Sequence, residues 1–108
     1  MNYDVFTISP FDKQIKRLVK KFPSLKSEYP ELLKKLETNP FMGNQLGNNC
    51  FKIRMAIKPK DKGKSGGARI ITHVQIIESK VFLLAIYDKS EHAGISDNEI
   101  KTLLSFIL

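Results

Sequence analysis

Residues 68–88 read ARIITHVQIIESKVFLLAIYD, and the reading of this stretch decides the fold. Ala68 to Ile77 and Lys80 to Asp88 are apolar at nearly every position, the pattern of central strands covered on both faces; a strand with one wet face alternates instead. Only Glu78-Ser79 separates the two runs, so they are predicted to pair antiparallel through a tight link. The longest purely apolar run, Val81 to Tyr87, is seven residues. A bilayer crossing needs about 20, so this run belongs to a core.

Upstream, Phe51, Ile53, Met55 and Ile57 alternate with Lys52, Arg54, Ala56 and Lys58, which predicts a half-buried strand with one cationic face. Residues 58–67 form a loop of Lys, Gly, Asp, Ser and Pro, and residues 41–49, rich in Gly and Asn, form another that packs through Leu46. Tyr3 to Ile8 reads as an opening strand. Ser9 is placed to cap a helix that starts at Pro10, with Asp12 favoured in its first turn. Phe11, Ile15, Leu18, Val19 and Phe22 line one face of that helix, and Lys13, Lys16, Arg17, Lys20 and Lys21 the other. After the break at Phe22-Pro23-Ser24, Leu25, Tyr29, Leu32, Leu33 and Leu36 repeat the pattern. Pro30 moves the expected regular start of this second helix to Ser27 or Pro30 itself. At the C-terminal end Ser96 and Glu99 have capping-box spacing, Ile95 is placed to staple to Ile100, and Ile100, Leu103, Leu104 and Ile107 make an apolar stripe. The prediction is one α+β domain spanning residues 1–108, in the order β-α-α-β-β-β-α. A two-helix hairpin and a C-terminal helix pack on a mainly antiparallel sheet.

With 108 residues, 42% hydrophobic, the chain holds one core. It can bury roughly 60–68% of its unfolded surface, too little for a large cofactor cavity, so substrates are expected in a shallow groove. No basic-then-apolar leader opens the sequence, and the expectation is a soluble cytoplasmic protein that does not engage a membrane. Cys50 is the single cysteine, which excludes an internal disulfide and a thiolate zinc cluster. Neither a metal nor another cofactor is predicted. The net charge is +7, and its distribution is uneven: residues 52–69 carry seven cations against Asp61 alone, while the other 90 residues hold 11 basic and 10 acidic side chains. Such a local excess points to a polyanion site.

Lys52 and Arg54, two apart on one strand, share a side of the sheet. If the strand starting at Arg69 pairs with theirs, three cations converge as a phosphate clamp, with Lys58, Lys60, Lys62 and Lys64 as an RNA-binding tail beside it. Any one of these residues alone reads more simply as solvent-facing charge; the set does not. Tyr87 ends the last strand, fit to stack on a base or orient a ribose hydroxyl, and Lys89 is placed to add a phosphate contact or to lower the tyrosine pKa. Gly63-Lys64-Ser65 mimics the end of a phosphate loop, but Lys58 stands where that motif needs glycine; Gly66 and Gly67 suit a sharp turn or the close approach of a backbone to a ligand. His73, mid-strand, reads as structural. His92 reads as a surface residue within reach of proton transfer.

Phe51-Lys52-Ile53-Arg54-Met55, Gly63 to Ile71 and Leu83 to Glu91, in this order, resemble the toxins of the RelE/ParE superfamily, RelE-like and HigB-like members above all. The resemblance implies a toxin of a bacterial toxin–antitoxin system that enters the ribosomal A site and cuts mRNA there without metal, by attack of a ribose 2′-hydroxyl on the adjacent phosphate. It implies catalytic roles for Lys52, Arg54, Arg69, Tyr87 and Lys89, with Arg69 stabilising the phosphorane. The tyrosine that relatives often carry near the C-terminus is absent after Ser96, which leaves Tyr87 and Lys52 both open as general base. A cognate antitoxin, helix-turn-helix and DNA-binding, is implied as partner. A ParE-like gyrase inhibitor and a non-catalytic RNA-binding module are the competing readings.

Overall fold

A computed structural model describes residues 2–57 and 67–108. Lys58, Lys60, Lys62 and Lys64, with the Gly63-Lys64-Ser65 stretch and Gly66, lie outside the described residues. Eight elements follow in order: β1 (Asp4–Thr7), α1 (Ser9–Lys21), α2 (Leu25–Thr38), β2 (Asn44–Gly47), β3 (Cys50–Met55), β4 (Ala68–Gln75), β5 (Lys80–Asp88) and α3 (Asp97–Leu104). The sheet order is β1-β5-β4-β3-β2, antiparallel except for the parallel β1–β5 pair. β4 and β5 are the inner ribbons and are buried almost throughout. Successive side chains at the end of β5 show why: Asp88 reaches towards Lys21 of α1, while Tyr87, pointing the other way, feels Glu99 of α3. Helices therefore flank both faces, and the sequence here is apolar without alternation.

The α+β architecture and the antiparallel β4–β5 hairpin are as the sequence predicts. Four local features differ. Ser9 does not cap α1: Ile8 occupies that position in extended geometry without a side-chain bond, and Ser9 is the first helical residue. Pro10 can still follow because its missing N–H falls in the first turn, which has no intrahelical acceptor. Secondly, α2 starts at Leu25 and runs through Pro30. Its opening is wound by i→i+3 bonds, Leu25 N–H to Phe22 and Lys26 N–H to Pro23. Pro30 removes only the bond that Lys26 would accept, and the burial of Leu25, Leu32 and Leu36 outweighs it. Thirdly, residues 44–47 form an edge strand within the predicted loop. Gly47 pairs with Cys50 across Asn48-Asn49, both in the left-handed region (φ 55° and 57°), as a two-residue hairpin turn requires. Leu46 does pack on the core. Finally, β4 stops at Gln75, and Ile76 and Ile77 lie in the turn, Ile77 at 95% exposure.

Cys50 and His73 are paired across β3 and β4, and both are buried. His73 Nδ1 donates to the Asn48 carbonyl at 3.0 Å, anchoring the β2–β3 turn. Burial pushes the Cys50 thiol up to about 11, so it stays protonated and unreactive. Burial also holds the His73 imidazole below its usual range, against the opposing effect of the Asn48 bond. The unfolded chain then binds the proton more readily, so this contribution to stability is complete above the unfolded pKa of about 6.5 and is lost as pH falls below it. Thermal unfolding at pH 7.5 and 5.5 is expected to show a lower midpoint at the acid pH, and His73→Gln is expected to shrink that difference.

Candidate active site

The β3–β4 and β4–β5 registers decide whether the predicted cations meet. Arg54 stands directly opposite Arg69, and Arg69 directly opposite Tyr87. One row across three strands thus holds two guanidinium groups and a phenol. The adjoining row on the same face is Lys52, Ile71 and Ala85. Like charges directly opposed across strands repel, at a cost of a few tenths of a kcal/mol to about 1 kcal/mol. An arrangement that sets Arg54 against Arg69, with Lys52 two residues away, is suited to an anion on that face. Arg54 is exposed, Lys52 half-buried, and Arg69 only 5% exposed, its Nη1 donating to its neighbour Ala68's carbonyl at 3.2 Å. The buried fork is thus placed from below while the two outer cations face solvent. A shallow groove of about 380 Å³ runs beside Lys52 and Arg54, bounded by Met42 and Gly43.

Gly67 sets the start of β4. It has φ +82°, its carbonyl accepts from Lys89 N–H at 3.0 Å, and a Cβ at this position would lie 2.6 Å from the Met55 carbonyl oxygen. The backbone that Gly67 approaches is that of Met55, at the end of β3, rather than a ligand, and this brings β4 against β3 two residues before Arg69.

Tyr87 is 9% exposed, and burial pushes its phenol above the ordinary range; Arg69 pulls it back, and Glu99 adds to the rise. The cation that acts on Tyr87 is thus Arg69. Lys89, placed by sequence in that role, lies past the end of β5 with its ammonium bonded to the Ala93 carbonyl at 2.7 Å. His92, from the same loop, sets its ring against Tyr87 at 5.1 Å between centroids and near-perpendicular, with Nε2 3.6 Å from Glu99 Oε2. Sequence reasoning noticed His92 but had no signal for these two contacts, which join a strand, a loop and a helix.

A cleft of about 730 Å³ opens on the far side of Tyr87, between α1 and α3. Its floor is the last part of β5, whose outer edge β1 does not cover because their pairing ends at Thr7–Leu83. Gln14 of α1 takes up the orphaned edge donor, accepting from Ile86 N–H at 2.9 Å. Among the described residues, no group of three or more His, Cys, Asp or Glu is placed to hold a metal ion, and no helix is long and apolar enough to cross a membrane.

The fold is thus a five-stranded sheet with helices on both faces and a cationic row across β3, β4 and β5. Over its full length the chain is similar to the free state of a doubly substituted E. coli toxin RelE, with a TM-score of 0.63, 16% identity and 100% coverage of both chains. It also matches a metal-bound toxin from Helicobacter pylori at 25% identity, over 84% of this chain and 98% of that one, with a TM-score of 0.47. Residues 11–106 match the family model described as the RelE toxin of the RelE / RelB toxin–antitoxin system. The chain belongs to the RelE toxin family. It is a toxin of a toxin–antitoxin system, and an antitoxin is accordingly its partner.

Proposed function

We propose that this toxin is a ribosome-dependent endoribonuclease that cuts mRNA in the A site by 2′-hydroxyl attack on the adjacent phosphate, without a metal. The observation that carries the reading is the row Arg54–Arg69–Tyr87 with Lys52 beside it. Attack creates a dianionic phosphorane, and fixed cations aimed at that charge lower the barrier most. Arg69 presents a planar fork from a buried site, so it is the phosphorane-stabilising group; Arg54 and Lys52 hold the flanking phosphate oxygens. Tyr87, whose raised pKa keeps its proton at neutral pH, orients the nucleophile as a hydrogen-bond donor. Lys89 braces the loop after β5 through Ala93, outside the row. Lys58, Lys60, Lys62 and Lys64 are RNA-binding residues in this reading, by their charge. A helix-turn-helix, DNA-binding antitoxin would screen this charge from RNA with acidic side chains.

Primer extension on messages from cells expressing the toxin tests the reading. Cuts are expected within translated frames and are expected to vanish when translation is blocked. Intact messages in growth-arrested cells would reject the reading in favour of a gyrase-directed toxin. Cuts that persist without translation would remove the ribosome from it.

A further inference from the structure

An in-line displacement sets the attacking and leaving oxygens on opposite sides of the phosphorus. In the reading above, Tyr87 orients the nucleophile from β5 and Arg69 holds the phosphate on β4, one strand further in. The leaving nucleotide is therefore directed the other way, over β3 towards β2, where the shallow groove of about 380 Å³ lies beside Lys52 and Arg54. We propose that this groove takes the base immediately 3′ of the cut, and that Asn44 reads that base as adenine. The assignment rests on the nuclease reading and adds a substrate preference to it.

Register supports this first. Asn44 stands directly opposite Lys52, so the two side chains leave the sheet on the same side, which is the side of the cationic row. Two strand spacings of roughly 4.8 Å and one same-face step of about 7 Å separate Asn44 from Arg69. One nucleotide and the two side chains cover that span together.

The second support is the chemistry of the groove. Gly43 has φ +100°, and a Cβ there would stand 2.5 Å from the Lys52 carbonyl oxygen. Glycine alone lets the chain lie this close against β3, and it leaves that part of the groove without a side chain. Met42 makes an apolar wall, half-buried against the core, and a thioether packs well on an aromatic ring. The volume stands at the small end of ligand sites, suited to a single base. Lys52 and Arg54 line the same groove and hold the phosphate oxygens that flank such a base. Asn44 is exposed, and among the described residues nothing bonds its side-chain amide. An amide presents a donor and an acceptor side by side, which complements the N7 acceptor and N6 amino donor of adenine. Guanine offers two acceptors on that edge and leaves the amide oxygen unpaired. Unpaired bases on a single strand are read in this way, by stacking and by hydrogen bonds to their edges.

The test is single-turnover cleavage on ribosomes programmed with four short messages that differ only in the base 3′ of the cut. Wild type is expected to cut the adenine message at least about 5-fold faster than the other three, the low end of what one bidentate contact discriminates. Asn44→Ala is expected to bring the adenine message down to the level of the others, whose rates stay within a few-fold of wild type. Arg69→Gln is expected to slow all four and to keep the adenine lead. The readout is a ratio between messages, so it does not depend on how much of a variant is folded. A wild type with no preference or a lead for another base would overturn the assignment alone. So would an adenine lead that survives Asn44→Ala, or an equal slowing of all four messages by that substitution. A wild-type protein that cuts none of them would overturn the nuclease reading, and the assignment with it.

Discussion

Arg69→Gln is expected to slow single-turnover cleavage of ribosome-bound message roughly 100- to 1000-fold, the usual cost of losing one preorganised donor to a developing oxyanion. The size of the effect follows from where the guanidinium sits. It is 5% exposed at the centre of the row, between Arg54 and Tyr87, so its fork is held in a fixed place. Arg69→Lys keeps the charge and loses the fork, and is expected to recover only part of the rate. The substitution also removes a like-charge opposition with Arg54, which offsets part of whatever packing is lost. Melting temperature is therefore expected to stay within a few degrees of wild type while activity collapses. Growth arrest that survives Arg69→Gln together with intact messages would point to a target other than RNA.

The second large effect concerns the helix hairpin. Phe11 is fully buried on α1, with its ring 5.8 Å from that of Tyr29 on α2. Truncation to alanine removes this ring contact between the two helices and leaves a cavity in the core. The expected cost is about 3–5 kcal/mol, a large share of the ~5–15 kcal/mol that holds a domain of this size together. Urea unfolding is the measurement: at a typical slope, the midpoint is expected to fall by about 2 M. The neighbouring Lys13→Ala, on the exposed face, is expected to change stability by less than about 0.5 kcal/mol. A Phe11→Ala loss below about 1 kcal/mol would mean that the hairpin packs differently.

Periodicity made the element types legible. The stripes Phe11–Leu18 and Leu25–Leu36, the alternation along β3 and the unbroken apolar runs of β4 and β5 each report a local burial pattern, and those patterns are written residue by residue. The Ser96–Glu99 capping box is a contact across three residues and was equally plain. Where the reading failed, a local preference had been outweighed by distant packing. Pro30 argues for a later helix start, yet Leu25 is buried under the sheet; Asn48-Asn49 looks like open loop, yet it turns a hairpin whose partner strand is held by His73.

The sequence by itself determined that Lys52 and Arg54 share a face, because strand parity depends on nothing but spacing. It also determined that the chain's excess charge clusters within residues 52–69. Only the tertiary structure decided that Arg69 stands opposite both Arg54 and Tyr87, and that His92 reaches Tyr87 while Glu99 holds it. Parity says which side a residue takes, but register says which residue it meets. Register is set by turns, by the irregularity between Ile71 and Thr72, and by close approaches such as Gly67 on Met55, all of which depend on residues far apart in the chain.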